Sequence, residues 1–292
     1  MVSMAEATRK AAVLIEGLPF LKQFHHRYMV VKLGGEAITD PEVRDALLTD
    51  LVYLEQVGIR PVLVHGGGVS ITQAMDAADL EVRWHEGRRV TDAAAMAIVE
   101  REVEKLNRML VDRLFELGGA AVGLMPDRHP VVRGAIMDPN LGLVGSPNDI
   151  DATRVVRYGS RGLIPVVPPL SISPDGIVMN TNADDIALAI ARGLHASKLI
   201  FGSSIPGVLR DPNDPESRIA SLTPTEVLQL RDEGVISGGM IPKLESCLEA
   251  LTAGVRKIHI VSASLPHALL LEIFTRDGVG TEIVAEQPGL ID

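Results

Sequence analysis

Two lysines stand where a cation needs a partner. Lys32 lies inside the apolar run Tyr28–Leu33, where an unpaired ammonium is costly to bury. Lys243 falls in the first turn of a helix expected over 241–253, where the helix dipole disfavours positive charge. Lys243 alone reads equally well as an exposed residue at a helix start. Together the two make sense if an anion, such as a phosphoryl group in transfer, lies between them. Three glycine clusters accompany them: Gly34-Gly35 after Lys32-Leu33, Gly66-Gly67-Gly68 after His65, and Gly238-Gly239 before Met240. Glycine lets backbone N–H groups approach phosphate oxygens, and a helix N-terminus adds partial positive charge. Each cluster singly is as readily a tight turn. Neither G-x-x-x-x-G-K-[ST] nor G-x-G-x-x-G occurs, so phosphates are handled, if at all, without those loops. The stretch from Met179 to Asp185 contains Asn180, Asn182 and Asp184. It is an Asn/Asp-rich helix cap, or a set of amide donors for a substrate carboxylate together with a carboxylate that holds an ammonium. Arg88 and Arg89 follow Gly87; either guanidinium suits bidentate carboxylate binding, and the other is a surface residue.

These residues need a scaffold, and the periodicity supplies one. Short apolar runs at 28–33, 61–64, 121–124, 163–167, 177–179, 198–201 and 257–261 read as buried strands. Helical patterns fill 43–57, 71–78, 91–117, 184–194, 224–230, 241–253 and 266–274, with Thr223-Pro224 as a helix-start signal. Short strands alternating with longer helices predict a mostly parallel sheet covered on both faces. In such a sheet ligands sit beyond the carboxyl ends of the strands, where two of the glycine clusters fall. Residues 203–222, rich in Ser, Pro and Asp, read as the clearest loop, just past a lobe boundary near residue 196.

Composition narrows the partners. The 292 residues are 46% hydrophobic and 23% charged, with a net charge of −10; this is a globular balance whose acidity argues against nucleic acid or an anionic membrane. Aromatic residues at 3% leave no base-stacking platform. The single cysteine, Cys247, excludes an intrachain disulfide and a cysteine-rich zinc site, and with no apolar run of spanning length the expectation is a cytoplasmic protein.

The motifs occur in a fixed order: Val31-Lys32-Leu33-Gly34-Gly35, Val64-His65-Gly66-Gly67-Gly68, Gly87-Arg88-Arg89-Val90-Thr91-Asp92, Asn180-Thr181-Asn182-Ala183-Asp184, Gly238-Gly239-Met240-Ile241-Pro242-Lys243 and Pro266-His267-Ala268-Leu269-Leu270-Leu271-Glu272. In that set the chain resembles the amino-acid kinase family, and within it the acetylglutamate branch. The resemblance implies an α/β fold, an open αβα sandwich with a mostly parallel central sheet. It implies an N-terminal oligomerisation helix over 1–26, an acyl-amino-acid lobe over 27–195 and a nucleotide lobe over 196–292. The family reaction moves the γ-phosphoryl of ATP, whose Mg2+ travels with the nucleotide and needs no protein metal site, to the side-chain carboxylate of N-acetyl-L-glutamate, in arginine biosynthesis. Carried over by motif, Lys32 and Lys243 stabilise the transferring phosphoryl and Asp184 orients them. Gly67, Gly68, Arg89, Asn180 and Asn182 hold the acyl substrate. Gly34, Gly35, Ser203, Ser204, Gly207, Gly238, Gly239 and Met240 hold the nucleotide. No general base is required, because the attacking carboxylate is already ionised.

The chain departs from the family in several loops. Ser203-Ser204 replaces the usual Thr-Asp, Met125-Pro126-Asp127-Arg128-His129-Pro130 replaces a glycine-rich stretch, Val69-Ser70 stands for Gly-Pro, and Glu86-Gly87 for Asn-Gly. Two other readings therefore accompany the kinase: a sister enzyme acting on another acylated amino acid such as an aminoadipate derivative, or a weakly catalytic, ligand-sensing paralogue. Residues 5–26 read as a helix bent at Pro19, with Ala11, Leu14, Ile15 and Leu18 on one apolar stripe that needs a surface. In the arginine-sensitive branch such a helix interlaces dimers into a homohexamer and arginine acts as feedback inhibitor beside it. By position, His267, Glu272 and Gly280 correspond to that effector site.

Overall fold

The computed structural model describes residues 3–236, 240–252 and 254–285. The chain opens with helices α1 (Met4–Glu16) and α2 (Leu18–Phe24), then β1 (Tyr28–Leu33), α3 (Glu36–Thr39), α4 (Pro41–Gln56), β2 (Arg60–His65) and α5 (Gly68–Asp76). A two-stranded hairpin, β3 (Trp84–His85) and β4 (Arg88–Arg89), leads to the long α6 (Ala93–Glu116) and β5 (Ala121–Gly123). Next come β6 (Val132–Ile136), β7 (Val144–Ile150), α7 (Ala152–Gly159), β8 (Ile164–Val167), β9 (Leu170–Ile172), β10 (Val178–Thr181) and α8 (Ala183–Gly193). The chain continues with β11 (Lys198–Ser203), β12 (Ser221–Leu222), α9 (Pro224–Asp232), α10 (Met240–Thr252), β13 (Lys257–Ser262), α11 (Ala268–Phe274) and β14 (Thr281–Val284).

Eight strands form one sheet in the order β12-β14-β13-β11-β1-β2-β8-β5. All neighbouring pairs are parallel except β13 with β14. The chain therefore leaves β1 toward β2 on one side and returns as β11 on the other, which makes the β1/β11 seam the topological switch point where a crevice opens. Side chains alternate across a strand, and β1 shows why this decides the site. Met29, Val31 and Leu33 pack with α4, α6 and α11 residues such as Leu51, Leu110 and Leu269. Val30 packs on the opposite face with Ile186 and Ile190 of α8. Lys32 shares the face of Val30 and is directed at the start of α8. The sheet is thus covered on both faces, as the alternation of strands and helices predicts. Among the described residues no helix is long and apolar enough to cross a membrane.

Several local features differ from the sequence reading. The N-terminal helix divides at Gly17, which closes α1 through its N–H to Val13 O at 3.2 Å, and not at Pro19. Pro19 sits in the first turn of α2, where its missing N–H costs nothing. No residue of α1 is buried, and Leu14 and Ile15 are each 68% exposed, so the apolar stripe does not cover the chain's own body. The last helix starts at Ala268 rather than 266, because His267 takes a left-handed conformation at φ 57°. The span 131–181, in which only 163–167 and 177–179 read as strands, contributes the closed four-stranded array β10-β7-β6-β9. Its polar sequence, as in Ser146-Pro147-Asn148-Asp149, lacks the alternation that announces a strand. Asn180 and Thr181 are consequently strand residues, and the 203–222 loop ends in the short β12.

Candidate active site

The carboxyl ends of β1 and β11 bring the predicted cations together. Lys32 Nζ lies 2.7 Å from Asp184 Oδ1, with the two side chains 18% and 25% exposed. Asp184 is in the first turn of α8, where the helix dipole favours a carboxylate. Lys243, in the first turn of α10, donates from Nζ to Ser203 Oγ at 2.8 Å. Burial and the Lys32 ammonium hold the Lys243 pKa below the ordinary lysine value, and Asp184 offsets part of that. The one carboxylate pairs with Lys32 and acts on Lys243 only through space, which leaves positive charge unspent between two strand ends. An oxyanion bridging the two ammonium groups would relieve both.

Two cavities flank this seam. The first, of about 660 Å3, is lined by Lys32, the glycines 34–35 and 66–68, the β3–β4 hairpin and residues 180–183. The second, of about 450 Å3, is lined by Lys243, Ser203, Ser204, Gly207, Val208 and Met240, with Ile236 and Pro212. The strand ends converge closely: a Cβ on Gly34 would lie 3.3 Å from Lys32 Nζ and crowd that ammonium, and one on Gly66 would lie in ordinary contact at 3.4 Å from the Gly34 Cα. Gly35 has φ 56°, a conformation that favours glycine. Gly67 caps α5 without any side-chain hydrogen bond, and Gly68 faces open space, leaving a helix N-terminus bare toward the first cavity.

The arginines divide their work. Arg89 is buried and its Nη2 donates to Thr72 Oγ1 at 2.7 Å and to Gly68 O at 3.2 Å, so part of its fork is already committed. Its guanidinium lies 4.6 Å over the Trp84 ring, and burial lowers its pKa. Arg88 pairs with Asp185 at 2.8 Å. Asn180 donates from Nδ2 to Thr91 Oγ1 at 3.0 Å, and Asn182 caps α8 by accepting from Asp184 N at 2.8 Å; both line the first cavity. Gly238 and Gly239 lie outside the described residues, while Met240 opens α10 at the second cavity.

Of the three expected effector residues Glu272 and Gly280 come together and His267 lies elsewhere. Glu272 lines a third cavity of about 250 Å3 with Phe20, Lys198, His259, Gly278 and Glu282. Its carboxylate accepts from His259 Nδ1 at 2.5 Å and from Val279 and Gly280 N–H groups at 2.7 and 2.8 Å. Burial works against that carboxylate, but these hydrogen bonds outweigh it and hold the pKa low. His267 instead faces α4, where its Nδ1 meets the buried Asp50 at 2.7 Å. The sequence reading missed Lys198, whose Nζ lies 2.8 Å from His259 Nε2 and whose pKa burial pushes down to about 8. The signal existed, because Lys198 opens an apolar strand as conspicuously as Lys32 interrupts one. It also missed His65, fully buried and pushed down to about 4. That histidine contacts Gly66 O through Nδ1 and Asn107 Nδ2 through Nε2, each at 3.0 Å, beneath the glycine loop.

Comparison with known proteins places this geometry. The amino acid kinase family matches over residues 27–262. An acetylglutamate kinase of Halothermothrix orenii is 40% identical over 290 residues, covering 97% of this chain and 100% of that protein. One from Pelotomaculum thermopropionicum is 41% identical over 293 residues, covering 96% and 99%. Among solved structures, an N-acetylglutamate synthase of Neisseria gonorrhoeae superposes with a TM-score of 0.83 at 23% identity. The match covers 95% of this chain and 64% of the synthase chain, a likeness of fold.

Proposed function

The chain belongs to the amino acid kinase family, and from that premise we propose that it transfers the γ-phosphoryl group of ATP to the side-chain carboxylate of N-acetyl-L-glutamate, a step of arginine biosynthesis. The observation that carries this reading is the convergence of Lys32, Asp184, Lys243 and Ser203 on the β1/β11 seam, with one cavity lined by Lys32 and another by Lys243 and Ser203. The acyl substrate occupies the first cavity, with its carboxylate and amide on Arg89, Asn180, Asn182 and the backbone of Gly67 and Gly68. ATP occupies the second, against Ser203, Ser204, Gly207 and Met240, with Gly34 and Gly35 donating to its phosphates and its Mg2+ arriving with it. A carboxylate oxygen of the substrate forms the new bond to the γ-phosphorus as the bridging oxygen leaves with ADP. No proton moves, so the chain needs only cations and N–H donors in line. Lys32, steered by Asp184, faces the attacking side and Lys243 the leaving side.

The lobes in this reading are 27–195 for the acyl substrate and 196–292 for the nucleotide, and the cytoplasm is the setting that a lone buried cysteine suits. The uncovered stripe of α1 supports assembly into a homohexamer through residues 1–26. Arginine, as feedback inhibitor, fits the third cavity, where Glu272 and Glu282 supply carboxylates beside Phe20. Glu272 and Gly280 stay in that reading, whereas His267 acts from outside the cavity. The test is turnover of the full chain with ATP in the presence of hydroxylamine, which converts an acyl phosphate into a hydroxamate. Hydroxamate from N-acetyl-L-glutamate is expected. Product only from an aminoadipate derivative would make this a sister enzyme, and ATP binding without product would make it a ligand sensor.

A further inference from the structure

Arg88 takes no part in the chemistry above, yet it joins two elements that are 97 residues apart in sequence. It lies on β4 of the hairpin that lines the first cavity, and its partner Asp185 follows Asp184 in the first turn of α8. The hairpin is small. It pairs Trp84 with Arg89 and His85 with Arg88, turning through Glu86 at φ 47° and Gly87 at φ 73°. A two-stranded hairpin is marginal alone, and both residues of β3 are exposed, so side-chain ties decide where it sits. Arg89 anchors one face to Thr72 and Gly68 of the α5 region. The alternation of the strand turns Arg88 to the other face, where it reaches α8.

We propose that Arg88 and Asp185 are a positioning pair that holds the β3–β4 hairpin over the acyl-substrate cavity and so sets affinity for that substrate. The inference rests on the reading of that cavity given above. One helical turn then carries two consecutive carboxylates with separate tasks. Asp184 fixes the lysine at the seam, and Asp185 fixes the hairpin relative to the same turn. Hairpin position and lysine position thereby share one reference, and the first cavity keeps its shape before substrate arrives. The side chains are 26% and 25% exposed, so salt screens the pair in part.

Trp84 gives a direct probe, because it is the only tryptophan in the chain and sits on the hairpin. Acrylamide quenching of its fluorescence is measured in the substrate-free full chain for wild type, Arg88→Met, Asp185→Asn and the double variant, followed by KM and kcat for N-acetyl-L-glutamate. Each single substitution is expected to raise the quenching constant. The rise is at most about 1.8-fold, since Trp84 is already 57% exposed. Each should also raise KM about two- to fivefold, the effect a partly exposed ion pair supports, with a smaller change in kcat. The double variant should be no worse than either single one, and Arg88→Lys should recover part of the loss. Unchanged quenching in both single variants, or effects that multiply in the double, would overturn the pair. Wild type that turns over no N-acetyl-L-glutamate would refute the reading of the cavity, while the quenching series still judges the hairpin contact.

Discussion

Replacing Lys243 by methionine should move activity and stability in opposite senses. The ammonium of Lys243 makes one hydrogen bond, to the neutral Ser203 Oγ, and among the described residues no ion pair. Burial and the neighbouring Lys32 both disfavour its charged form. The loss on substitution is one hydrogen bond, about 0.5–1.5 kcal/mol, against which stand the relieved burial and repulsion and the retained aliphatic stem. Thermal stability at neutral pH should therefore hold or rise. The transition state loses a positioned cation, an effect typically of 10²–10³ in rate or about 3–4 kcal/mol. The pH dependence has a definite sign as well. The folded-state pKa of Lys243 lies below the ordinary 10.5, so between those values the unfolded chain binds the extra proton and stability rises with pH. Lys243→Met should flatten that rise. Hydroxamate formation gives the rate, and thermal unfolding across pH 7–10 gives the stability. A rate within tenfold of wild type removes Lys243 from the reaction, and a melting temperature that falls along with the rate makes it a structural residue.

Four further outcomes are expected. Arg89→Lys should raise KM for the acyl substrate about tenfold with a smaller change in kcat, because a point charge cannot bond Thr72 and Gly68 and still offer a fork; an unchanged KM would free Arg89 from the substrate. Lys198, with a folded-state value of about 8 against 10.5, should make wild type gain about 3 kcal/mol relative to Lys198→Met as pH rises from 8 to 10.5, and parallel chemical-denaturation curves for the two would refute its burial as a charge. Light scattering should give a hexamer for the full chain and a dimer for a chain lacking residues 1–25, whose stripe is uncovered here; the same dimer for both would deny the helix that role. Ser204→Asp should tighten ATP binding by adding a charged acceptor at the second cavity, and an unchanged affinity would make this departure neutral.

What could be read in the sequence was whatever violates a local rule. A lysine in an apolar strand, glycines where a strand stops, and a cap with more amides than a cap needs each cost stability unless something compensates. The sheet's helices and parallel strands were equally legible, because a strand buried on both faces is apolar at every position. Of the closed array only β10 was legible, over 177–179; β6, β7 and β9 were opaque for the opposite reason. Its strands carry Arg133, Ser146, Asn148 and Asp149 at exposed or half-buried positions, and a small closed sheet needs no continuous apolar run. Arg88 was ambiguous beside Arg89, since choosing between them requires knowing which face of a two-residue strand points inward.

The charge arithmetic of the site explains how these cations tolerate one another. Lys32, Lys243, Arg88 and Arg89 approach the cavities from three elements, β1, α10 and β4. Asp184 holds Lys32 and Asp185 holds Arg88, each within 2.8 Å. Among the described residues Lys243 and Arg89 have no ion pair, and burial lowers the pKa of both, with Asp184 and Asp76 offsetting only part of it. One lines the second cavity and the other the first. The uncommitted charge is thus divided, one cation to each ligand, while the paired cations keep the walls in place. On a chain of net charge −10, whose surface repels anions at long range, affinity for anionic substrates has to come from such enclosed and unsatisfied cations. Anions bound there would restore to Lys243 and Arg89 the partners that folding withheld.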